Sequence, residues 1–304
     1  MKNTIIIAGG SGFIGEALQE KFRAENFAVV VLTRGQSSER AQVRFVHWDG
    51  KTLGPWTKEL ENAQALVNLT GKSINCRHTA ENKSEILSSR VDSVRVLGQA
   101  IQECANPPKV FLQVSAVGIY GNSGDRICAE NTPHGSDFVA EVCAKWEEAF
   151  HEIDSRHLRK VLFRLGIVLA PNGGMLRVLA RLTRAFLGGR AGSGRQFISW
   201  IELAEVAAIF AHAVAHDKMQ GAFNLAAPNP VTNAEFMKIL RGVLHRPWSP
   251  PVPAPAVKLG SFVLGTEGSL ALEGQRAVPV RLREVGYEFL SPKLRPVLEK
   301  MFRA

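Results

Sequence analysis

The first apolar positions form an unbroken run, Ile5-Ile6-Ile7-Ala8. It gives way to the closely spaced glycines Gly9, Gly10 and Gly12, and then to helical spacing at Phe13, Ile14, Ala17, Leu18 and Phe22. A short β-branched run suits a strand buried on both faces, and the later spacing suits an amphipathic helix. The same alternation continues down the chain. Strands are predicted at 28–33, 43–48, 64–69, 109–114 and 160–169. Between them, 56–60 reads as a brief proline-led helix. Residues 80–104 form a long one with Ile86, Leu87, Val91, Val94, Leu97 and Ile101 on one face. A further helix, capped by Asp137, carries Val139, Val142, Cys143, Trp146 and Phe150 as its stripe. Alternating strands and helices predict an α/β fold, a Rossmann-type doubly wound parallel sheet.

Beyond residue 170 the pattern changes. Helices are predicted at 175–187 and 202–215, and the capping box Thr232-x-x-Glu235 opens another that runs to 244. A glycine-rich loop fills 188–196, strand-like stretches follow at 197–201 and 222–226, and a proline-rich connector spans 247–255. The expected organisation is a cofactor-binding domain over 1–170, with 196–228 returning to it. Segments 171–195 and 229–304 form a smaller lid and C-terminal substrate region.

The glycine turn supplies the first candidate chemistry. Gly9 permits positive φ, Gly12 lets a pyrophosphate approach the backbone, and Gly15 lets the helix pack closely on the strand. The helix's free N–H groups and positive end then face the phosphates. At the end of the second strand stands Thr33-Arg34-Gly35, 19 residues from Gly15 to Arg34, with no Asp or Glu over 32–38. An acidic residue there would take a ribose 2′-hydroxyl, whereas arginine accommodates a 2′-phosphate. A charge-assisted bond of about 1.5–3 kcal/mol favours NADP(H) by roughly 10- to 100-fold. A second small-residue turn, Asn68-Leu69-Thr70-Gly71, ends the fourth strand, where an open parallel sheet puts its ligand crevice.

Composition bounds the rest. The 304 residues suffice for one large or two modest domains, and 45% hydrophobic with 21% charged residues is ordinary for a globular protein. No apolar run approaches the roughly 20 residues of a membrane span, and the run after Lys2 is too short for a signal-peptide core. Cys76, Cys104, Cys128 and Cys143 show no zinc spacing and read as reduced thiols. A cytoplasmic location follows, with no membrane partner. The net charge of +9 is richest over 177–195 and 276–283, without the density of a nucleic-acid stripe. A phosphate-rich cofactor and an anionic small-molecule substrate account for part of it, and nucleic acid is not an expected partner.

The stretches 8–15, 68–71, 115–121, Arg164-Leu165-Gly166 and 195–201 resemble extended short-chain dehydrogenases/reductases. Three further motifs resemble the YfcH-like epimerase branch of that superfamily, an atypical group with its own C-terminal domain. They are Cys143-Ala144-Lys145-Trp146-Glu147, Gly192-Ser193-Gly194-Arg195-Gln196 and Gly274-Gln275-Arg276-Ala277. The resemblance implies a Rossmann domain binding NADP(H) beneath a lid. Carried over by position, the cofactor residues are Gly9, Gly12, Phe13, Ile14, Thr33, Arg34, Leu69, Thr70, Gly71, Glu85, Arg90 and Ser115.

Ordinary members of the superfamily use a Tyr-x-x-x-Lys pair, in which lysine lowers the tyrosine pKa for proton exchange with a carbonyl or hydroxyl. This chain lacks it. Gly124 follows Tyr120 by four residues, Ser291 follows Tyr287 by four, and the expected positions fall on Val139 and Cys143 in an apolar stripe. Ser115, Tyr120, Glu130 and Arg195 are the polar candidates left for acid/base work. Two readings stay open: an NADP(H)-dependent oxidoreductase or epimerase with a noncanonical acid/base, and an NADPH-binding sensor without turnover.

Overall fold

The computed structural model describes residues 3–154, 158–246, 248–263 and 265–303. In chain order, β1 (Thr4–Ala8), α1 (Phe13–Ala24), β2 (Ala28–Thr33), β3 (Ser38–Arg40) and β4 (Val43–His47) precede a 3-10 turn at Pro55–Leu60. There follow β5 (Ala65–Asn68), α2 (Ala80–Glu103), β6 (Val110–Ala116), a 3-10 turn at Val117–Tyr120, β7 (Ile127–Cys128), α3 (Phe138–His151) and β8 (Arg159–Leu165). The sheet is eight-stranded in the order β12-β8-β6-β5-β1-β2-β4-β3, where β12 is Gly221–Leu225. All its pairings are parallel except β3 on β4. Ile5, Ile6, Ile7 and Ala8 are fully buried at its centre, as an unbroken apolar run requires when helices cover both faces.

The sheet grows outward from β1 in both directions, so the crevice at its carboxyl edge lies between β1 and β5. Register fixes what meets there. Ala8 pairs with Leu32 on one side and Asn68 on the other, which brings Gly9, Thr33 and Leu69 out together.

The remaining elements are β9 (Ile167–Leu169), α4 (Gly174–Arg184), β10 (Phe197–Ile198), β11 (Trp200–Glu202), α5 (Leu203–Ala215), β13 (Val231–Thr232), α6 (Asn233–Val243), α7 (Ala254–Val263), α8 (Ser269–Leu272), β14 (Arg276–Ala277), α9 (Val280–Glu284) and α10 (Leu294–Phe302). A second core joins α4, α6 and α10 through Leu176, Trp200, Phe236, Leu240, Val297 and Leu298. Each such buried side chain contributes about 1.5–3 kcal/mol.

Two expectations are corrected here. The run 160–169 is not one strand: it breaks at Gly166, where a Cβ would stand 2.5 Å from the Ser199 carbonyl oxygen, and β9 leaves the large sheet to pair with β11. The stretch 197–201 likewise divides at Ser199. Its hydroxyl donates to the Gln275 carbonyl at 2.7 Å and accepts from the Ala277 N–H at 2.8 Å, tying the C-terminal segment to the sheet's edge. The polar strand β3 and the two-residue pair β7 with β14 were not predicted, being too short or too hydrophilic for periodicity to register. Of the proline-rich connector, Pro247 lies outside the described residues, and Ala254 already begins α7.

Candidate functional site

The crevice begins at the β1 to α1 turn. Gly9 takes φ +71°, and a Cβ on it would press within about 3.1 Å of Thr70. At Gly15 a Cβ would stand 2.1 Å from the Gly10 carbonyl oxygen, so only glycine lets α1 start this close to the strand. Gln19, one turn into the helix, donates to that same carbonyl at 2.8 Å and fixes the loop from below. Gly12 is the opposite case: nothing stands within 4 Å of its missing side chain. It precedes α1 without a side-chain cap, which leaves the helix's first N–H groups aimed into open space.

The β5 turn forms the opposing wall. Asn68, fully buried, donates to Gln113 Oε1 at 3.0 Å and Ser93 Oγ at 3.3 Å while its Oδ1 accepts the Thr70 N–H at 3.0 Å. That locks the turn and leaves Thr70 Oγ1 buried with no protein partner. An orphaned hydroxyl facing a glycine turn fits a dinucleotide pyrophosphate as the missing acceptor. Phe13 and Ile14 open α1 half-buried, the Phe13 ring lying against Gly173, where a Cβ would come within 2.5 Å.

Thr33 and Arg34 end β2. The Thr33 hydroxyl accepts the Gly35 N–H at 3.2 Å, and Arg34 is exposed without an ion-pair or hydrogen-bond partner among the described residues. Arg90 packs over Gly71, stacks 4.9 Å from the Trp146 ring centre, and donates to the Lys72 and Ile86 carbonyls at 2.8 Å each. Burial lowers its pKa from the ordinary arginine value. Glu85 pairs with Lys72 on the same loop, and that bond holds its carboxyl below the usual range.

The candidate acid/base groups follow from the carboxyl end of β6, next to β5, outward. Ser115 is buried and donates to Glu147 Oε1 at 2.7 Å. Arg164 grips Glu147 with both ends of its fork, at 3.0 and 2.7 Å, and donates to the Tyr120 hydroxyl at 3.0 Å. Tyr120 in turn donates to Asn224 Oδ1 at 2.7 Å. Burial works against the Arg164 charge, but Glu147 outweighs it and holds the guanidinium above its ordinary value. Burial pushes the Tyr120 hydroxyl up to about 12. Glu130 Oε1 accepts the Asn224 and Arg281 backbone N–H groups, while its Oε2 is buried without a partner. Arg195 is exposed, 4.0 Å from Asp125. Val139 and Cys143 pack on Gly118, and burial, reinforced by Glu147, pushes the Cys143 thiol up to about 12. A protonated thiol in that setting is no nucleophile.

Glu147 and Arg164 are the residues whose roles the sequence did not disclose. Arg164 interrupts the apolar strand Val161-Leu162-Phe163, and a cation inside a buried strand demands a buried anion. That signal was present. Its partner, 17 positions earlier on α3, was not marked by spacing.

The carboxyl-edge crevice of a doubly wound sheet, with a glycine turn, a helix terminus and an orphaned hydroxyl, defines a dinucleotide-binding protein of the Rossmann class. The chain belongs to the NAD dependent epimerase/dehydratase family, whose model matches residues 5–226, and a domain of unknown function matches 252–301. It is 35% identical to the chloroplastic epimerase family protein SDR39U1 homolog of Arabidopsis thaliana, over 94% of this chain and 83% of the relative. It is 34% identical to epimerase family protein SDR39U1 of Bos taurus, over 98% and 99%. Among solved structures, the human epimerase family protein SDR39U1 (isoform2), crystallised with NADPH, superposes with a TM-score of 0.88 at 30% identity, covering 99% of each chain.

Proposed function

We propose that this protein is an NADP(H)-binding member of the YfcH-like branch, an oxidoreductase or epimerase whose acid/base differs from the Tyr-x-x-x-Lys pair. The observation that carries the cofactor assignment is Arg34, exposed and without a partner among the described residues at the end of β2, beside the glycine turn. The NADPH of the human relative supports it. Gly9, Gly12, Phe13, Ile14 and Thr70 hold the pyrophosphate; Thr33 and Arg34 take the 2′-phosphate; Leu69, Gly71 and Arg90 border the nicotinamide side, with Glu85 orienting Lys72 above them. The nicotinamide supplies a hydride donor or acceptor at C4.

We take residues 1–170 with 196–228 as the cofactor unit, and 171–195 with 229–304 as the lid and substrate region. The substrate is a small anionic molecule. The four free cysteines accord with a reducing, cytoplasmic compartment.

In a fluorescence titration NADPH binds more tightly than NADH by roughly 10- to 100-fold, and Arg34→Glu erases the difference; equal affinities in the unaltered protein would sink the assignment. Standard UDP-sugars are not epimerised, because the Tyr-Lys pair is absent. The second reading, a sensor without turnover, is favoured by the engagement of both Ser115 and Tyr120 in buried bonds. Turnover that survives Ser115→Ala and Tyr120→Phe but needs NADPH would favour the enzyme with its acid/base elsewhere.

A further inference from the structure

The positive charge of the chain is not spread evenly. Residues 171–201 hold Arg177, Arg181, Arg184, Arg190 and Arg195, residues 236–266 hold Lys238, Arg241, Arg246 and Lys258, and neither segment contains an Asp or Glu. The lid as a whole, residues 171–195 with 229–304, holds 16 cations against 6 acids, so the excess sits there. Cofactor recognition uses none of them.

Helix α4 shows how the charge is displayed. Leu176, Ala180 and Thr183 are its buried positions, Leu176 in the second core. Arg177, Arg181 and Arg184 follow one position later, all exposed, lining with Pro171 and Asn172 a groove of about 400 Å³. A third stripe, Val178, Leu182 and Phe186, is also exposed. Like charges three and four apart repel with no intervening acid; Arg181 and Arg184 are offset at the helix's negative end, and Arg184 stacks 5.4 Å from the Phe302 ring centre, but Arg177 has no such folding role among the described residues. The apolar stripe continues past the helix. Phe186 is 51% exposed and Leu187 56%, and Arg246 stacks 5.1 Å from the Phe186 ring centre. The Pro250 backbone closes on Gly189 beside them, and Trp248 between is 67% exposed.

Exposed Phe, Leu and Trp flanked by arginines, with acids excluded, are the composition of a helix that lies in a lipid–water interface. We infer that the α4 face, with Phe186, Leu187 and Trp248, docks on the surface of an anionic lipid bilayer, the arginines meeting headgroup phosphates. No helix among the described residues is long and apolar enough to cross a membrane, and interfacial docking needs none. A second copy of the chain does not suit this face, since a twofold contact would set arginine against arginine with no carboxylate in either segment. The sequence argued against a membrane partner through the lack of a spanning run; it marked 177–195 as rich in positive charge but not the exposed apolar stripe beside the arginines.

The test is sedimentation of the purified protein with vesicles of phosphatidylcholine alone and of phosphatidylcholine containing roughly one-third phosphatidylglycerol. Binding is expected only to the anionic vesicles, weakening as salt rises. Arg177→Glu with Arg181→Glu should weaken it by roughly several hundred-fold, at roughly 5-fold per lost attraction and the same per added repulsion. Phe186→Ser with Leu187→Ser should weaken it at unchanged charge. Both variants should keep the parent's NADPH titration and thermal midpoint, which separates a lost surface from a lost fold. Should NADPH binding itself be absent in the parent, the thermal midpoint serves alone, and the two proposals fail separately. No sedimentation with anionic vesicles would overturn the inference. So would binding indifferent to the serine pair and equally competed by duplex DNA, the signature of a general polyanion site.

Discussion

At the scale of single residues, the sharpest constraint is Gly15. Its neighbour, the Gly10 carbonyl, is backbone at 2.1 Å from where a methyl would stand, so nothing flexible can yield. Gly15→Ala must push α1 away from the turn, and NADPH affinity should fall by more than an order of magnitude in the same titration, while Gly12→Ala, with open space around it, should leave the unliganded fold intact and weaken only binding. A second constraint is Glu147. Arg164 and Ser115 both depend on it, and all three side chains are shielded from water. Glu147→Ala strands a buried guanidinium and should cost about 3–5 kcal/mol in urea unfolding; a loss under about 1 kcal/mol would show that water or another acceptor replaces the carboxylate. The turns that line the crevice were legible in the sequence because glycine spacing and strand ends leave a local signature. The buried network was not, because Ser115, Tyr120, Glu147, Arg164 and Asn224 come from five places that only the folded sheet brings together.

Elements report a similar division. The long helix α2 spans Ala80–Glu103 against a predicted 80–104, and the Asp137 cap of α3 and the Thr232 cap of α6 are both made, accepting from Ala140 and Glu235 N–H groups at 3.0 and 3.3 Å. Removing the first by Asp137→Ala should lower stability by about 1 kcal/mol, or roughly 2–4 °C in Tm, and a shift several times larger would mean that Asp137 does more than cap. Periodicity located these helices because each buries one apolar stripe, α2 and α3 beside the large sheet and α6 in the second core. It failed at Gly166 and Ser199, where the chain changes partner sheet within a single residue and apolar character continues across the break. A hydrophobic run records burial, not the identity of what covers it.

At the scale of the whole molecule, the C-terminal segment is held through contacts to two buried carboxylates. Tyr287 donates to Glu205 at 2.6 Å, Ser291 N–H donates to the same carboxylate at 2.7 Å, and Lys300 reaches Glu202 at 3.1 Å. Against this seam His212 stacks on His216 at 3.7 Å between ring centres, with the Tyr287 ring 5.2 Å away. Burial, and then the neighbouring imidazole, holds His212 below the ordinary histidine value of 6.5; burial does the same to His151, with Glu147 opposing. The unfolded chain, titrating at 6.5, therefore takes up these protons before the folded one does. Stability is complete above that value and is lost as pH falls through it toward the folded pKa values. Glu273 acts in the opposite sense, since burial raises its carboxyl from 4.5, but its effect belongs to more acid solution. Asp49, held at about 2 by Thr52 and Lys51, contributes fully above 3.8 and loses that contribution between there and about 2. Thermal unfolding followed from about pH 7.5 to about pH 5.5 should thus show a falling midpoint, and His212→Gln should flatten part of the fall by removing the stacked pair's repulsion. A profile of the same slope in the variant would place the acid sensitivity at His151 instead, and a flat profile in the unaltered protein would contradict the lowered histidines altogether.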